Sequence, residues 1–221
     1  MAGVLESRAS HFTPRDPMKL YYMQAACSLS VQITLNELDM PHTLVLVDSK
    51  TKTLPDGSDY HAINPRGQVP VLELDNGSRF TEGPVIVQYL ADQKPGNTMM
   101  PPAGSMDRYR EIEWLNYLTS ELHQRFYSLF IYTHLSDDAK ETFRADLDKR
   151  LAYVADKLGE RDYLMGDTFT SADGYLFVML RWTGFLKIDL ARWPNLVAYR
   201  DRIAARPAVQ AAMRDAGLLK A

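Results

Sequence analysis

The spacing of hydrophobic residues changes about halfway along the chain. In the first part the apolar runs are short and divided by turn residues. Leu20-Tyr21-Tyr22-Met23 reads as a strand. Leu29, Ile33, Leu35 and Leu38 then recur at helical spacing, with Ser28 or Ser30 available to cap them and Met40-Pro41 to stop them. His42 to Val47 predicts a second strand, and the alternation from Val69 to Leu74 a third. Asp75-Asn76-Gly77 is a hairpin signal, which makes Ser78-Arg79-Phe80 an antiparallel partner. Thr81-Glu82-Gly83-Pro84 opens a second helix, with Pro84 suited to its first turn and Pro95-Gly96 closing it after Gln93. The order β-α-β-β-α predicts a mixed sheet with helices packed on it.

Beyond Pro101-Pro102 the pattern is helical, with no convincing strand between 106 and 220. A helix over 108–130, drawn at 100° per residue, places Leu115, Leu118, Leu122, Phe126 and Leu129 in one narrow arc. Asn116, Ser120, His123 and Tyr127 form a second stripe. A solvated face usually carries charges and this stripe has none, so it predicts the lining of a wet cleft or an interface. The segment 172–186 is apolar nearly all round and predicts a central buried helix. Thr170-x-x-Asp173 before it has capping-box spacing, with Asp in place of the usual Glu or Gln. The expected organisation is a loose arm over 1–17, an α/β domain over 18–97 and an all-helical domain over 106–221.

Composition narrows the chemistry. Among 221 residues, 25 Lys and Arg stand against 28 Asp and Glu, a net charge of −3, so nothing draws in a nucleic-acid backbone. A single cysteine excludes an intrachain disulfide and a thiolate-rich zinc site, and favours a reducing compartment. No uncharged apolar run has membrane-spanning length. The first seventeen residues carry Glu6, Arg8 and Arg15 without an apolar stretch, unlike a secretory signal. A cytoplasmic location is the expectation. His11, His42, His61, His123 and His134 show no metal-ligand spacing, so no metal is expected. Neither a glycine-rich phosphate loop nor a serine nucleophile elbow is present.

Four features can carry chemistry. Cys27 stands at the start of a helix, where unpaired N–H groups favour a thiolate, although a lone cysteine is equally a small buried hydrophobe. In Gln68-Val69-Pro70-Val71 the proline cannot donate to a ladder. With a cis bond it turns the Val69 backbone outward to pair with an extended ligand, and otherwise it is an edge-strand proline. Glu82 and Gly83 begin a helix: the N–H groups suit a ligand carboxylate and Glu82 a ligand ammonium, or Glu82 simply complements the helix dipole. His123 can donate a hydrogen bond, move a proton, or serve structure alone.

Taken together, Lys19-Leu20-Tyr21-Tyr22, Ala26-Cys27-Ser28-Leu29-Ser30, Asn64-Pro65-Arg66-Gly67-Gln68-Val69-Pro70-Val71-Leu72, Thr81-Glu82-Gly83-Pro84 with Ile86 to Asp92, Glu113-Trp114-Leu115-Asn116, Ser120-Glu121-Leu122-His123 and Ala172-Asp173-x-Tyr175-Leu176-Phe177 resemble the soluble glutathione transferases, most closely the bacterial beta class. The likeness runs from Met18 to the Gly217–Lys220 tail. It implies a thioredoxin-like domain with a mixed four-stranded sheet, an all-helical domain after it, and a homodimer that uses glutathione as co-substrate with no tightly bound cofactor. Residue by residue, it implies that Cys27, with Ser28 beside it, faces the glutathione sulfur. Lys52 meets the glycine carboxylate, Val69 and the cis-proline Pro70 the cysteinyl part, and Glu82 and Gly83 the γ-glutamyl end. Asn116 reaches the neighbouring subunit's site, Ser120 and His123 face the thiol and second substrate, and Phe126, Tyr127, Trp182 and Phe185 are candidate walls for that substrate.

The chain departs from the family pattern in four places. Gln24-Ala25-Ala26 replaces Pro-Gly-Ala, Val31-Gln32 replaces Pro-His, Gln124 replaces a lysine, and Gly174 replaces the apolar residue after the capping aspartate. The function implied is conjugation of the glutathione thiolate to electrophilic hydrophobic small molecules. The alternatives are a glutathione-dependent disulfide reductase or peroxidase acting through Cys27, and a catalytically silent binding module.

Overall fold

The structure, a computed structural model, describes residues 18–132 and 134–219; the arm expected over 1–17 lies outside them. Strands β1 (Met18–Tyr22), β2 (His42–Leu46), β3 (Val71–Glu73) and β4 (Arg79–Thr81) form one sheet in the order β2-β1-β3-β4. β2 runs parallel to β1, while β3 is antiparallel to both β1 and β4. The mixed four-stranded sheet is therefore present. β3 is shorter than its hydrophobic alternation, because Pro70 has no N–H for the ladder; the Val69-Pro70 bond is cis. The hairpin closes as expected, with Gly77 at φ +79° and Leu74 N–H donating to the Ser78 carbonyl at 2.8 Å.

Helix α1 (Ser28–Glu37) follows β1, and α2 (Gly83–Asp92) follows β4. Neither Ser28 nor Ser30 caps α1; Cys27 occupies the cap position. The helical half comprises α3 (Met106–Tyr117), α4 (Gln124–Ile131), α5 (Asp137–Leu158), α6 (Ser171–Phe185), α7 (Pro194–Ala204) and α8 (Pro207–Asp215). A π-helical turn, Leu118–His123, joins α3 to α4, so the helix expected over 108–130 is interrupted.

α6 is the central buried helix that its composition predicts. Asp173 accepts from the Thr170 N–H at 2.8 Å, closing the cap, and also from Leu164 N–H and the Tyr199 hydroxyl at 2.8 and 2.6 Å. Gly174 faces α1, where a Cβ would stand 3.4 Å from Ile33 Cγ2, an ordinary contact, so the space there does not itself demand glycine. One continuous apolar core, from Leu20, Ile33 and Ile86 through Leu122 to Leu176 and Tyr199, joins the sheet half to the helical half. α8 docks on α1 through Asn36 Nδ2 to the Ala208 carbonyl, and Arg206 beside α8 grips Glu37 with two bonds of 2.7 and 2.9 Å.

Candidate active site

A cavity of about 640 Å³ opens between the two halves. The β1–α1 loop, the 64–70 turn and the start of α2 form one side; the π turn, α4 and α6 form the other. Cys27, Lys52, Val69, Pro70, Glu82, Gly83, His123, Tyr127 and Trp182 all border it, as the sequence predicts, and so does Phe185.

Cys27 is held at the head of α1 by its carbonyl, which accepts from Ser30 N–H and the Ser30 hydroxyl at 3.0 and 2.8 Å. Its Sγ–H donates to the Val69 carbonyl at 3.5 Å. Burial pushes the thiol pKa up to about 12, the Glu82 charge adds to that, and the backbone N–H groups of Cys27 and Ser28 offset only part of it. The thiolate that a helix start favours is thus overridden, and Cys27 is a thiol at neutral pH. Ser28 does not border the cavity. Its hydroxyl is buried and turned back to the Met23 carbonyl at 3.5 Å, so what it presents to Cys27 is its backbone N–H.

Val69 borders the cavity, and among the described residues its N–H has no protein acceptor. Lys52 adopts φ +57°, fixed by its N–H to the Asp48 carbonyl and its carbonyl to Tyr60 N–H, and its Nζ lies 3.8 Å from Met23 Sδ. Glu82 adopts φ +65° and ψ 107° at the N-cap of α2 without capping it; its Oε1 accepts from Arg66 Nη1 at 2.9 Å instead.

On the opposite side, His123 Nδ1 lies 2.7 Å from the Tyr175 hydroxyl, and its ring packs 5.1 Å from Trp182. Burial lowers the His123 pKa to about 4 and raises that of Tyr175, so both are neutral at pH 7. If Nδ1 accepts from the tyrosine, Nε2–H is free to donate; if Nδ1–H donates, the tyrosine hydrogen is free. Either tautomer leaves one donor available beside the cavity.

Besides Ser28, three expected site residues lie elsewhere. Asn116 and Ser120 are exposed and do not border this cavity, and Ser120 Oγ is bonded to the Asn116 carbonyl at 3.0 Å. The π turn changes the angular step per residue, so Thr119 rather than Ser120 comes round to the cavity above His123. Phe126 is fully buried behind the wall, edge-on to Trp182 at 5.7 Å; the surface itself is made by Trp182, Tyr127, Phe130, Ile131 and Phe185.

The sequence reading missed the site roles of Thr119, Tyr175 and Arg66. Tyr175 has a signal, the polar atom inside an otherwise apolar helix; Arg66 has one in the rigid Asn-Pro-Arg-Gly turn. Thr119 has one in its place four residues before His123, about 40° away on a uniform helix. Among the described residues no group of His, Cys, Asp and Glu is placed to hold a metal, and no helix is long and apolar enough to cross a membrane.

The chain matches the family models for the glutathione S-transferase N-terminal domain over residues 26–93 and C-terminal domain over 118–207. It is 46% identical over 201 residues to glutathione S-transferase GstA of Escherichia coli O157:H7, covering 91% of this chain and all of that one. A ternary complex of BphK, a bacterial glutathione transferase, superposes with a TM-score of 0.87 at 48% identity, over 90% of this chain and all of that one. A sphingomonad glutathione S-transferase complexed with glutathione gives 0.86 at 41%, over 91% and 100%. Two matched halves in the expected order, full-length likeness to bacterial relatives and a shared fold place this chain in the glutathione S-transferase family.

Proposed function

We propose that this cavity binds glutathione in extended form and activates its thiol for attack on electrophilic hydrophobic small molecules. The Val69 backbone pairs with the cysteinyl unit as in strand addition. Lys52 meets the glycine carboxylate, and Glu82 with the first N–H of α2 the γ-glutamyl end. The ligand sulfur then lies at the head of α1, beside Cys27 and across from His123 and Tyr175.

The observation that carries this reading is the set of neutral donors around that position. Cys27 keeps its S–H, which swings from its long 3.5 Å contact with the Val69 carbonyl to the ligand sulfur, and the His123–Tyr175 pair keeps one hydrogen to donate. Oriented donors in a partly dry site favour thiolate over thiol, so the ligand thiol loses its proton to solvent near neutral pH. The thiolate attacks the electrophilic carbon, a carbon–sulfur bond forms, and the leaving group departs with its electron pair. The aromatic wall of Trp182, Tyr127, Phe130 and Phe185 suits an apolar second substrate.

Cys27→Ser separates this from covalent chemistry at Cys27. Conjugation persisting within about tenfold supports donation, while its complete loss together with glutathionylation of the wild-type Cys27 during turnover favours the disulfide reductase or peroxidase route. A silent binding module is disfavoured because Cys27, Lys52, Val69-Pro70 and Glu82 all stand around one cavity. We further propose a homodimer, in which Asn116, exposed in the single chain, reaches the neighbouring site, and a cytoplasmic location that keeps the lone thiol reduced. Sedimentation at micromolar concentration tests the dimer.

A further inference from the structure

We propose that Arg66 and Glu82 form a two-charge clamp selective for a ligand end that carries an ammonium and a carboxylate on the same carbon, with Arg66 reading the carboxylate. This rests on the glutathione reading of the cavity and assigns it a specificity residue.

The guanidinium is displayed from a fixed turn. Gly67 N–H donates to the Asn64 carbonyl at 2.8 Å, Arg66 N–H to Asn64 Oδ1 at 3.2 Å, and the buried Asn64 holds the Gln68 carbonyl through Nδ2 at 2.7 Å. Gly67 has φ +62°, a left-handed conformation that favours glycine. Only the Arg66 side chain is left to move.

Glu82 is unusual in the complementary way. Its backbone occupies a positive-φ region that non-glycine residues avoid, and its carboxylate turns away from the helix it precedes. The Gly83 N–H has no acceptor among the described residues, and Pro84 has no N–H to offer. The cavity rim therefore presents a guanidinium, a carboxylate and an unused N–H side by side.

An exposed ion pair at 2.9 Å, with each side chain about half accessible, contributes little to stability by itself. Its value lies in exchange. In the empty site each partner neutralises the other. A zwitterionic ligand end opens the pair and replaces one contact by two, ammonium on Glu82 and carboxylate on Arg66 and the Gly83 N–H. A ligand with the ammonium alone must compete with Arg66 for Glu82 and leaves the guanidinium without a partner. Lys52, the other cation on the cavity, lies against Met23 and cannot substitute from there.

The test is calorimetric titration of wild type, Arg66→Gln and Arg66→Lys with three peptides: glutathione, its analogue lacking the α-carboxylate (γ-aminobutyryl-cysteinyl-glycine), and its analogue lacking the α-ammonium (glutaryl-cysteinyl-glycine). Wild type is expected to bind the decarboxylated analogue about 30-fold more weakly than glutathione. Arg66→Gln should narrow that ratio to about threefold while keeping its discrimination against the glutaryl analogue, and Arg66→Lys should fall between. An Arg66→Gln or Arg66→Lys protein that rejects the decarboxylated analogue as strongly as wild type overturns the clamp. Wild type that binds none of the three peptides overturns the glutathione reading instead.

Discussion

The indole N–H of Trp182 on α6 donates to the carbonyl of Ala25 across 2.8 Å, tying the centre of the helical half to the loop that delivers Cys27. Ala25 has φ +59°, a left-handed conformation that costs an L-residue about 1–2 kcal/mol. Where the family pattern puts glycine, this chain has alanine and holds it from outside. Gln24 Nε2 adds a second anchor, to the Gly217 carbonyl at 3.1 Å. The loop that positions the thiol site is therefore clamped by α6 and by the tail after α8.

Trp182→Phe keeps an aromatic ring against His123 and Phe126 but removes the clamp. A stability loss of about 1 kcal/mol is expected, together with a several-fold rise in KM for glutathione and a smaller change in kcat. Denaturant titration and steady-state kinetics check both.

Ala25→Gly relieves the left-handed strain and at the same time loosens the unfolded chain. The two effects oppose, and the first is the larger, so a gain of up to about 1 kcal/mol is expected. A variant less stable than wild type by thermal melting would show that the clamp does not rely on a strained alanine.

Cys27, with its thiol pushed up to about 12, should alkylate slowly. At pH 7.5 its thiolate fraction is at least a hundredfold below that of an ordinary cysteine near 8.5. Iodoacetamide labelling followed by mass spectrometry should show a rate still climbing above pH 9; a plateau near pH 8 contradicts the assignment.

Two buried groups give stability slopes of opposite sign. His123 has a folded pKa near 4, below its unfolded value of about 6.5, so the unfolded chain takes up the proton first and stability falls as pH drops through that interval. Glu111 is fully buried, with Oε1 on the Ala172 N–H at 3.3 Å and Oε2 without a hydrogen-bond partner among the described residues. Burial and the nearby Asp173 raise its pKa to about 8. Its contribution is complete below the unfolded value near 4.5 and is lost as pH rises towards 8. Melting temperatures from pH 4 to 9 should therefore lose the acidic fall in His123→Asn and the alkaline fall in Glu111→Gln.

The succession of strands and helices, the hairpin and α6 were legible because their signals are local: Asn76-Gly77 sets one turn, and the apolar run after Thr170 sets one helix; the lateral order β2-β1-β3-β4 was not, because long-range pairing sets it. The cavity was legible where chemistry and local pattern coincide, at Cys27, Val69-Pro70 and Glu82. It was not legible where a side chain's direction depends on its surroundings. The π turn, with its smaller angular step, carries Ser120 away from His123 and leaves Thr119 on the cavity side. Phe126 follows the helical phase correctly but lies one layer too deep, behind Trp182. Cys27 sits at the helix start as read, yet its ionisation is decided by burial, a tertiary property that position along the chain does not carry.

The most direct test of the central claim is ultraviolet titration of the bound glutathione thiol in Cys27→Ala, where the ligand carries the only thiol. The expected result is saturable thiolate absorbance at one site per chain, with an apparent pKa at least about one unit below the free-thiol value near 8.5. Absence of a saturable signal, or a bound thiol that titrates like free glutathione, would contradict it.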